Sequence, residues 1–355
     1  MADSDKQRAL KNYLASSKKK YGDSSANFIS AEKIKYDVIS TGSFRLDNAM
    51  EVGGFPRGKI IEIYGDEGSG KTSLCTKVCA NAQLAYPDEF IGWVDVEHAL
   101  NLTYATQLGL DPVNMVFCQP SAGEQALDEM YNMAASGAFS VIVLDSVGGL
   151  ATKRQLEKEI GEETIGEVAR LLSNNVKKIC DAASKTNTLV LFINQLRTNI
   201  GSYGSPPTTM GGKTLKFFAS ARIQVKKKEA IINSFKDPIG QVQVFDIKKN
   251  RFGIPFKQVE TEFFFGIGFN KNKELIDVAI DCGLIEKGGA WFYPYPEDKS
   301  IKFQGKDRLI AYFEENENEF PRLEALVKSY IEDGVISEIQ ELAESLDEGD
   351  LDVED

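Results

Sequence analysis

Short, mostly apolar runs recur between residues 60 and 194, at about 60–64, 90–95, 115–118, 141–145 and 188–194. Runs of this length read as strands, and 60–64 as a buried parallel one. Between them apolar residues return at helical spacing, near 73–85, 101–109, 123–137 and 166–185. Strand and helix in alternation predict an α/β fold with a doubly wound, mostly parallel sheet. Strand-like segments near 221–228, 241–249 and 258–265 follow with no helix between them. They are expected to pair antiparallel at one edge of that sheet.

From about residue 269 the pattern changes. A helix near 273–282, a short β-type region around Gly288–Tyr293 and helices near 305–315 and 320–332 predict a small α+β domain. At the other end, residues 4–22 read as a helix with a narrow apolar stripe of Leu10, Tyr13, Leu14 and Tyr21. Lys18, Lys19 and Lys20 make its end basic, and the stripe either docks on a neighbour or lines a solvated arm. The expected divisions are 1–35 (helix and linker), 36–268 (core), 269–335 (α+β domain) and 336–355 (acidic tail).

Composition narrows the classes. In 355 residues, 42% hydrophobic and 10% aromatic content support a substantial core. No apolar run has the length of a membrane span, and the polar, basic opening is unlike a secretory leader, so a cytoplasmic protein is expected. Five scattered cysteines read as buried free thiols. His98 is the only histidine, which argues against histidine-based catalysis or metal binding. The net charge of −12 is local: residues 331–355 hold 11 Asp or Glu and no Lys or Arg, leaving 42 acidic against 41 basic residues elsewhere. Overall acidity therefore does not exclude a nucleic-acid partner.

The most specific chemistry follows the first apolar run. Gly65-Asp66-Glu67-Gly68-Ser69-Gly70-Lys71-Thr72 fits G-x-x-x-x-G-K-[ST], with a strand before it and a helix from Ser73 after it. Glycines let the backbone turn its N–H groups inward as an anion nest at the helix N-terminus. Lys71 is placed to reach the β/γ-phosphates of a nucleotide, and the Thr72 hydroxyl to ligate Mg²⁺. Four apolar residues ending in Asp145 suit the second half of such a site, with the carboxylate near Mg²⁺ through water. Glu97 follows another strand, where an acid either caps a helix or activates water. Asn194 and Gln195 close a fifth strand, where an amide either senses a γ-phosphate or simply ends the strand. Two core-poor loops, near 157–166 and 196–212, are flanked by Arg170, Lys177, Arg197 and Lys213. Loops of that kind inside a compact domain are functional or disordered.

These phrases, with Val38-Ile39-Ser40-Thr41-Gly42-Ser43, Asp95-Val96-Glu97-His98-Ala99-Leu100, Gly123-Glu124-Gln125-Ala126-Leu127, Phe192-Ile193-Asn194-Gln195-Leu196-Arg197, Gly211-Gly212-Lys213-Thr214-Leu215-Lys216-Phe217 and Pro255-Phe256-Lys257-Gln258, are co-linear. Through them the chain resembles the bacterial type of the RecA family of homologous-recombination ATPases over nearly its full length. The resemblance implies a RecA-like core, ATP and Mg²⁺ as cofactors, and a DNA-dependent ATPase that forms helical filaments on single-stranded DNA and pairs it with homologous duplex. It implies Glu97 as the base, Gln195 as the link from γ-phosphate to DNA loop, and Lys249 and Arg251 reaching a neighbour's ATP. It places Asn101 and Tyr104 by the adenine, Ile165 and Ile200 as wedges between base triplets, and Phe217 at the subunit interface. Gly166, Arg170, Ser173, Lys177, Arg197, Asn199, Gly211, Gly212 and Lys213 would hold DNA. A single-strand-binding protein and loading mediators are implied as further partners. Departures stand at Asp66 (commonly Pro), Asn101 (Asp), Asn199 (Lys), Pro207 (Glu) and Arg251 (Lys). A ring-forming helicase on the same core, or an ATP-binding scaffold with little hydrolysis, are the alternatives. A GTPase is disfavoured because Asn270-Lys271-Asn272-Lys273 lacks the acid of N-K-x-D.

Overall fold

The run that precedes the glycine-rich turn becomes an interior strand of a ten-strand sheet. The computed structural model describes residues 2–22, 26, 36–159, 166–197, 208–316 and 318–331. It divides into two units, Met1–Tyr36 and Asp37–Asp355. The first is built on helix α1 (Ala2–Tyr21), which ends on Lys18, Lys19 and Lys20. Leu10, Tyr13 and Tyr21 of its expected stripe are exposed.

The second unit opens with an antiparallel pair, β1 (Val38–Ile39) and β2 (Phe55–Pro56), around α2 (Phe44–Ala49). Five strands are then laid down: β3 (Ile60–Gly65), β4 (Phe90–Asp95), β5 (Met115–Cys118), β6 (Phe139–Asp145) and β7 (Leu189–Arg197). The helices among them are α3 (Lys71–Ala85), α4 (Leu102–Gln107), α5 (Gly123–Ser136), α6 (Lys153–Glu157) and α7 (Glu167–Thr186). The five strands pair parallel in the order β3-β7-β6-β4-β5. The short β8 (Thr208–Thr209) and α8 (Thr214–Phe218) lead to β9 (Ala221–Ile232), which joins β3 in parallel. Then β10 (Pro238–Asn250), β11 (Gln258–Phe264) and β12 (Gly268–Phe269) extend that side antiparallel, as the helix-free spacing predicts.

Successive residues of a strand face opposite sides of the sheet. On β6, Val141 and Val143 therefore join Leu74, Cys75 and Val78 of α3 on one side. Ile142 and Leu144 join Leu127 and Met130 of α5 and Leu172 and Val176 of α7 on the other. Both faces being covered explains why these strands read as continuous apolar runs. The small C-terminal part comprises α9 (Lys271–Asp281), the sheet β13 (Glu286–Gly288), β14 (Trp291–Tyr293) and β15 (Phe303–Gln304), α10 (Lys306–Glu315) and a helix over 319–331. Phe44 of α2 packs in its core with Leu275, Ile276, Leu309 and Phe313.

The cysteine expectation is corrected in part. All five are free, but only Cys75 and Cys79 are buried. Cys118 is half-buried because β5 is the outermost parallel strand.

Candidate active site

Ligands of open parallel sheets bind beyond the carboxyl ends of the strands. Here the registers put the candidate groups there side by side. Gly65 of β3 lies opposite Gln195 of β7, and Asp95 of β4 lies opposite Asp145 of β6.

The turn after β3 is a cradle of backbone. A Cβ on Gly65 would lie 2.1 Å from the carbonyl oxygen of Val225, so only glycine fits. Gly68 and Gly70 take the left-handed φ of 69° and 97° that glycine adopts without strain. Gly70 caps α3 with no side-chain hydrogen bond, which leaves the first N–H groups of the helix for an anion. Asp66, Glu67 and Gly68 are exposed, Ser69 is buried, and Ser73 lies in the helix's first turn. Lys71 donates from Nζ to the Asp66 carbonyl at 2.6 Å. Burial lowers its pKa, while Asp145, Glu97 and Asp66 act to hold the charge. The bond to the Asp66 carbonyl holds Nζ over the turn.

Thr72 donates from Oγ1 to Asp145 Oδ2 at 2.9 Å. Burial pushes the Asp145 carboxyl up to about 6, against the Thr72 hydrogen bond, with Glu97 and Asp95 adding repulsion. A hydroxyl and a carboxylate beside a phosphate cradle are the hard oxygen donors Mg²⁺ takes, so the residues fit that ion.

Glu97 sits in the exposed turn after β4. Its Oε1 accepts from the Ser146 hydroxyl and, at 2.9 Å, from the Gln195 amide. Gly149 makes this possible, since a Cβ there would lie 3.0 Å from Glu97 Cγ. Gln195 is tied on its other side to the second loop. Its carbonyl accepts from Met210 N at 3.4 Å, and Asn194 Nδ2 donates to Met210 O at 3.0 Å. The ladder Leu196–Thr209 and Arg197–Thr208 closes the base of that loop. Asn194 also donates to the fully buried Glu62 at 2.8 Å, and Arg222 pairs with the same carboxylate.

The candidate DNA-holding residues divide. Arg170, Ser173 and Lys177 are exposed along one face of α7, which Gly166 caps. Gly211 and Gly212 lie against the start of that helix, where a Cβ on Gly211 would lie 2.4 Å from Leu172 Cδ1. Lys213 and Arg197 are exposed nearby in sequence. Ile165, Asn199 and Ile200 lie outside the described residues, as does the acidic tail.

Lys249 and Arg251 are not brought to Lys71. In register, Gly65 aligns with Val225 and Phe245, whereas Lys249 aligns with Arg222 and Glu62, toward the other end of β3. There Lys249 Nζ donates to the Lys216 and Phe217 carbonyls at 2.8 and 3.1 Å, and Arg251 Nη2 to that of Phe217 at 2.9 Å. Burial, then the charges of Arg251 and Arg222, brings the Lys249 ammonium down to about 8. Phe217 itself is 66% exposed. Asn101 caps α4, accepting from Tyr104 N at 3.0 Å, and Tyr104 packs at the edge of the core.

Sequence reasoning passed over two site residues. Ser146 orients Glu97, and the buried Asp95 accepts from Ala99 N, Leu100 N and Gln119 Nε2, all at 3.3 Å, which shapes the Glu97 turn. The signal for Asp95 was its place at a strand end.

Comparison with known proteins agrees with this geometry. The RecA N-terminal domain family matches residues 8–270 and the RecA C-terminal domain family residues 273–332. The protein named Protein RecA from Methylobacterium sp. (strain 4-46) is 38% identical over 357 residues, covering 98% of this chain and 96% of that protein. Protein RecA of Nocardioides sp. (strain ATCC BAA-499 / JS614) is 40% identical, covering 89% of each. Protein RecA of Chelativorans sp. (strain BNC1) is 43% identical over 81% of this chain and 80% of that one.

Proposed function

The chain belongs to the RecA family of DNA-dependent ATPases of homologous recombination and repair, and from that premise we propose which of its residues do the work. The turn Gly65–Thr72 and Ser73 hold the phosphates, and Lys71 neutralises the β/γ charge. Thr72, with Asp145 through water, holds Mg²⁺, which supplies charge neutralisation at the transferring phosphoryl group when bound. Glu97 takes the proton of the attacking water. Its carboxylate is already held by Ser146 and Gln195.

The observation that carries this reading is the position of Gln195. Its side chain lies on Glu97 and its backbone on Met210, at the base of the second loop. A γ-phosphate arriving at Glu97 competes for that amide, and any shift of Gln195 is felt at both ends of the loop. Arg170, Ser173, Lys177, Arg197, Gly211, Gly212 and Lys213, with Gly166, Ile165, Asn199 and Ile200, then grip single-stranded DNA. Backbone contacts and apolar wedges carry little sequence information, so homology is read by base pairing with the duplex.

Lys249 and Arg251 complete the site of the next copy in the filament, with Phe217 at the contact. Their placement away from the chain's own Lys71 supports a role in trans. Asn101 and Tyr104 lie at the adenine. A single-strand-binding protein and loading mediators belong to the same proposal. So does the cytoplasm: among the described residues, no helix is long and apolar enough to cross a membrane.

The test is ATP turnover with and without single-stranded DNA, beside strand exchange, for wild type and Lys71→Ala. DNA-stimulated turnover lost in the variant is expected. Turnover indifferent to DNA in wild type would contradict the proposal.

A further inference from the structure

Behind the phosphate cradle lies a buried amide that no part of the site described so far employs. Gln243 of β10 is fully buried, and its side-chain nitrogen and oxygen both find no hydrogen-bond partner among the described residues. Its Nε2 stands 2.1 Å from the point where a Cβ on Gly70 would be. The residue before Gly70 is in the same condition: Ser69 is buried and its hydroxyl is unpartnered among the described residues. Two positions along β10, Gln241 donates from its side chain to the Ser69 carbonyl at 3.3 Å. The β9–β10 pairing slips between Val242 and Gln243, which face Glu229 and Lys227. Bulges of this kind re-aim side chains beside active sites.

We propose that Gln243 is a positioning residue for the phosphate turn, holding its unmade hydrogen bonds for the nucleotide-bound state. The inference rests on the reading that Gly65–Thr72 holds phosphates. A buried amide and hydroxyl without partners destabilise the free protein. When phosphates draw the Ser69–Gly70 peptide into place, the Gln243 amide and the Ser69 hydroxyl, one residue apart, take each other or the turn's backbone as partners. Bonds made only in the bound state contribute to affinity, because a ligand draws on the difference between two states.

The test uses the full chain, with Mg·ADP bearing a fluorescent ribose label as the probe and no DNA. Gln243→Met keeps the length and removes the polar atoms. It is expected to melt at or above the wild-type temperature without nucleotide, yet to bind the probe about tenfold more weakly, the effect of one hydrogen bond. A purely structural glutamine would move both readouts down. Affinity within twofold of wild type, or weaker binding together with a lower melting temperature or a failure to fold, would overturn the assignment. Wild type that does not bind the probe would instead overturn the phosphate reading beneath it. A nucleotide-bound wild-type structure gives an independent check: Gln243 within 3.2 Å of a phosphate-turn acceptor or the Ser69 hydroxyl is expected, and an amide still unpartnered contradicts the proposal.

Discussion

The side-chain amide of Gln195 donates to Glu97 Oε1 at 2.9 Å, although the two residues come from strand ends separated by β6. A carboxylate so held, by Ser146 as well as Gln195, has its orientation set before any water arrives. Glu97→Gln keeps the shape and removes the base. ATP turnover is expected to fall by about 10²–10⁴, while nucleotide binding, measured by titration, stays close to wild type. Turnover reduced less than tenfold would mean that another group takes the proton.

Asp145 carries a pH signature. Its folded pKa, about 6, lies above the ordinary 3.8. The native state therefore binds more protons than the unfolded chain between those values, and the stability associated with this group falls as pH rises through them. Asp145→Asn removes that loss. Without nucleotide, the variant is expected to melt several degrees above wild type at pH 8, with the gap narrowing by about half at pH 5. With Mg·ATP the order reverses, because the ionised carboxylate is the form that serves the ion. Melting curves at the two pH values check the sign.

Much of this was legible along the chain. The strand at 90–95 appears with those ends because a buried parallel strand needs an unbroken apolar run, and β5 keeps the expected ends 115–118 although, as the outermost strand, it is half exposed. β7 runs on to Arg197, past the expected 194, because β8 offers a partner that a polar Thr-Thr pair does not announce. α2 is six residues long, too short to show a period, and starts only because the Ser43 hydroxyl accepts from Leu46 N. The role of Glu97 stayed open in sequence because its partner is 98 residues away. Gln243 carried no signal, since a glutamine inside a strand reads as solvent-facing.

Phe217 separates fold from assembly. Its ring is exposed, so Phe217→Ala is expected to shift stability by no more than about 0.5 kcal/mol. Filament formation, followed by light scattering against protein concentration, is expected to need at least about tenfold more protein, as for loss of an aromatic anchor at an interface. An unchanged assembly curve would remove Phe217 from the contact.

The acidic tail makes a salt-dependent claim. Eight acidic residues in 341–355, without a compensating base, are expected to compete with DNA for basic surface. Deleting residues 341–355 is expected to tighten duplex DNA binding at low salt and to matter less as salt rises. Equal affinities at low salt would rule the competition out.

The central claim is that each ATP site is shared, with Glu97 from one copy and Lys249 and Arg251 from the next. Two variants separate the halves: Glu97→Ala, and Lys249→Ala with Arg251→Ala. Each alone is expected to be inactive in single-stranded-DNA-stimulated ATP hydrolysis. Mixed in equal amounts, they are expected to regain about a quarter of wild-type turnover, since random head-to-tail assembly brings two intact halves together at that frequency. A mixture as inactive as its parts would contradict the shared site.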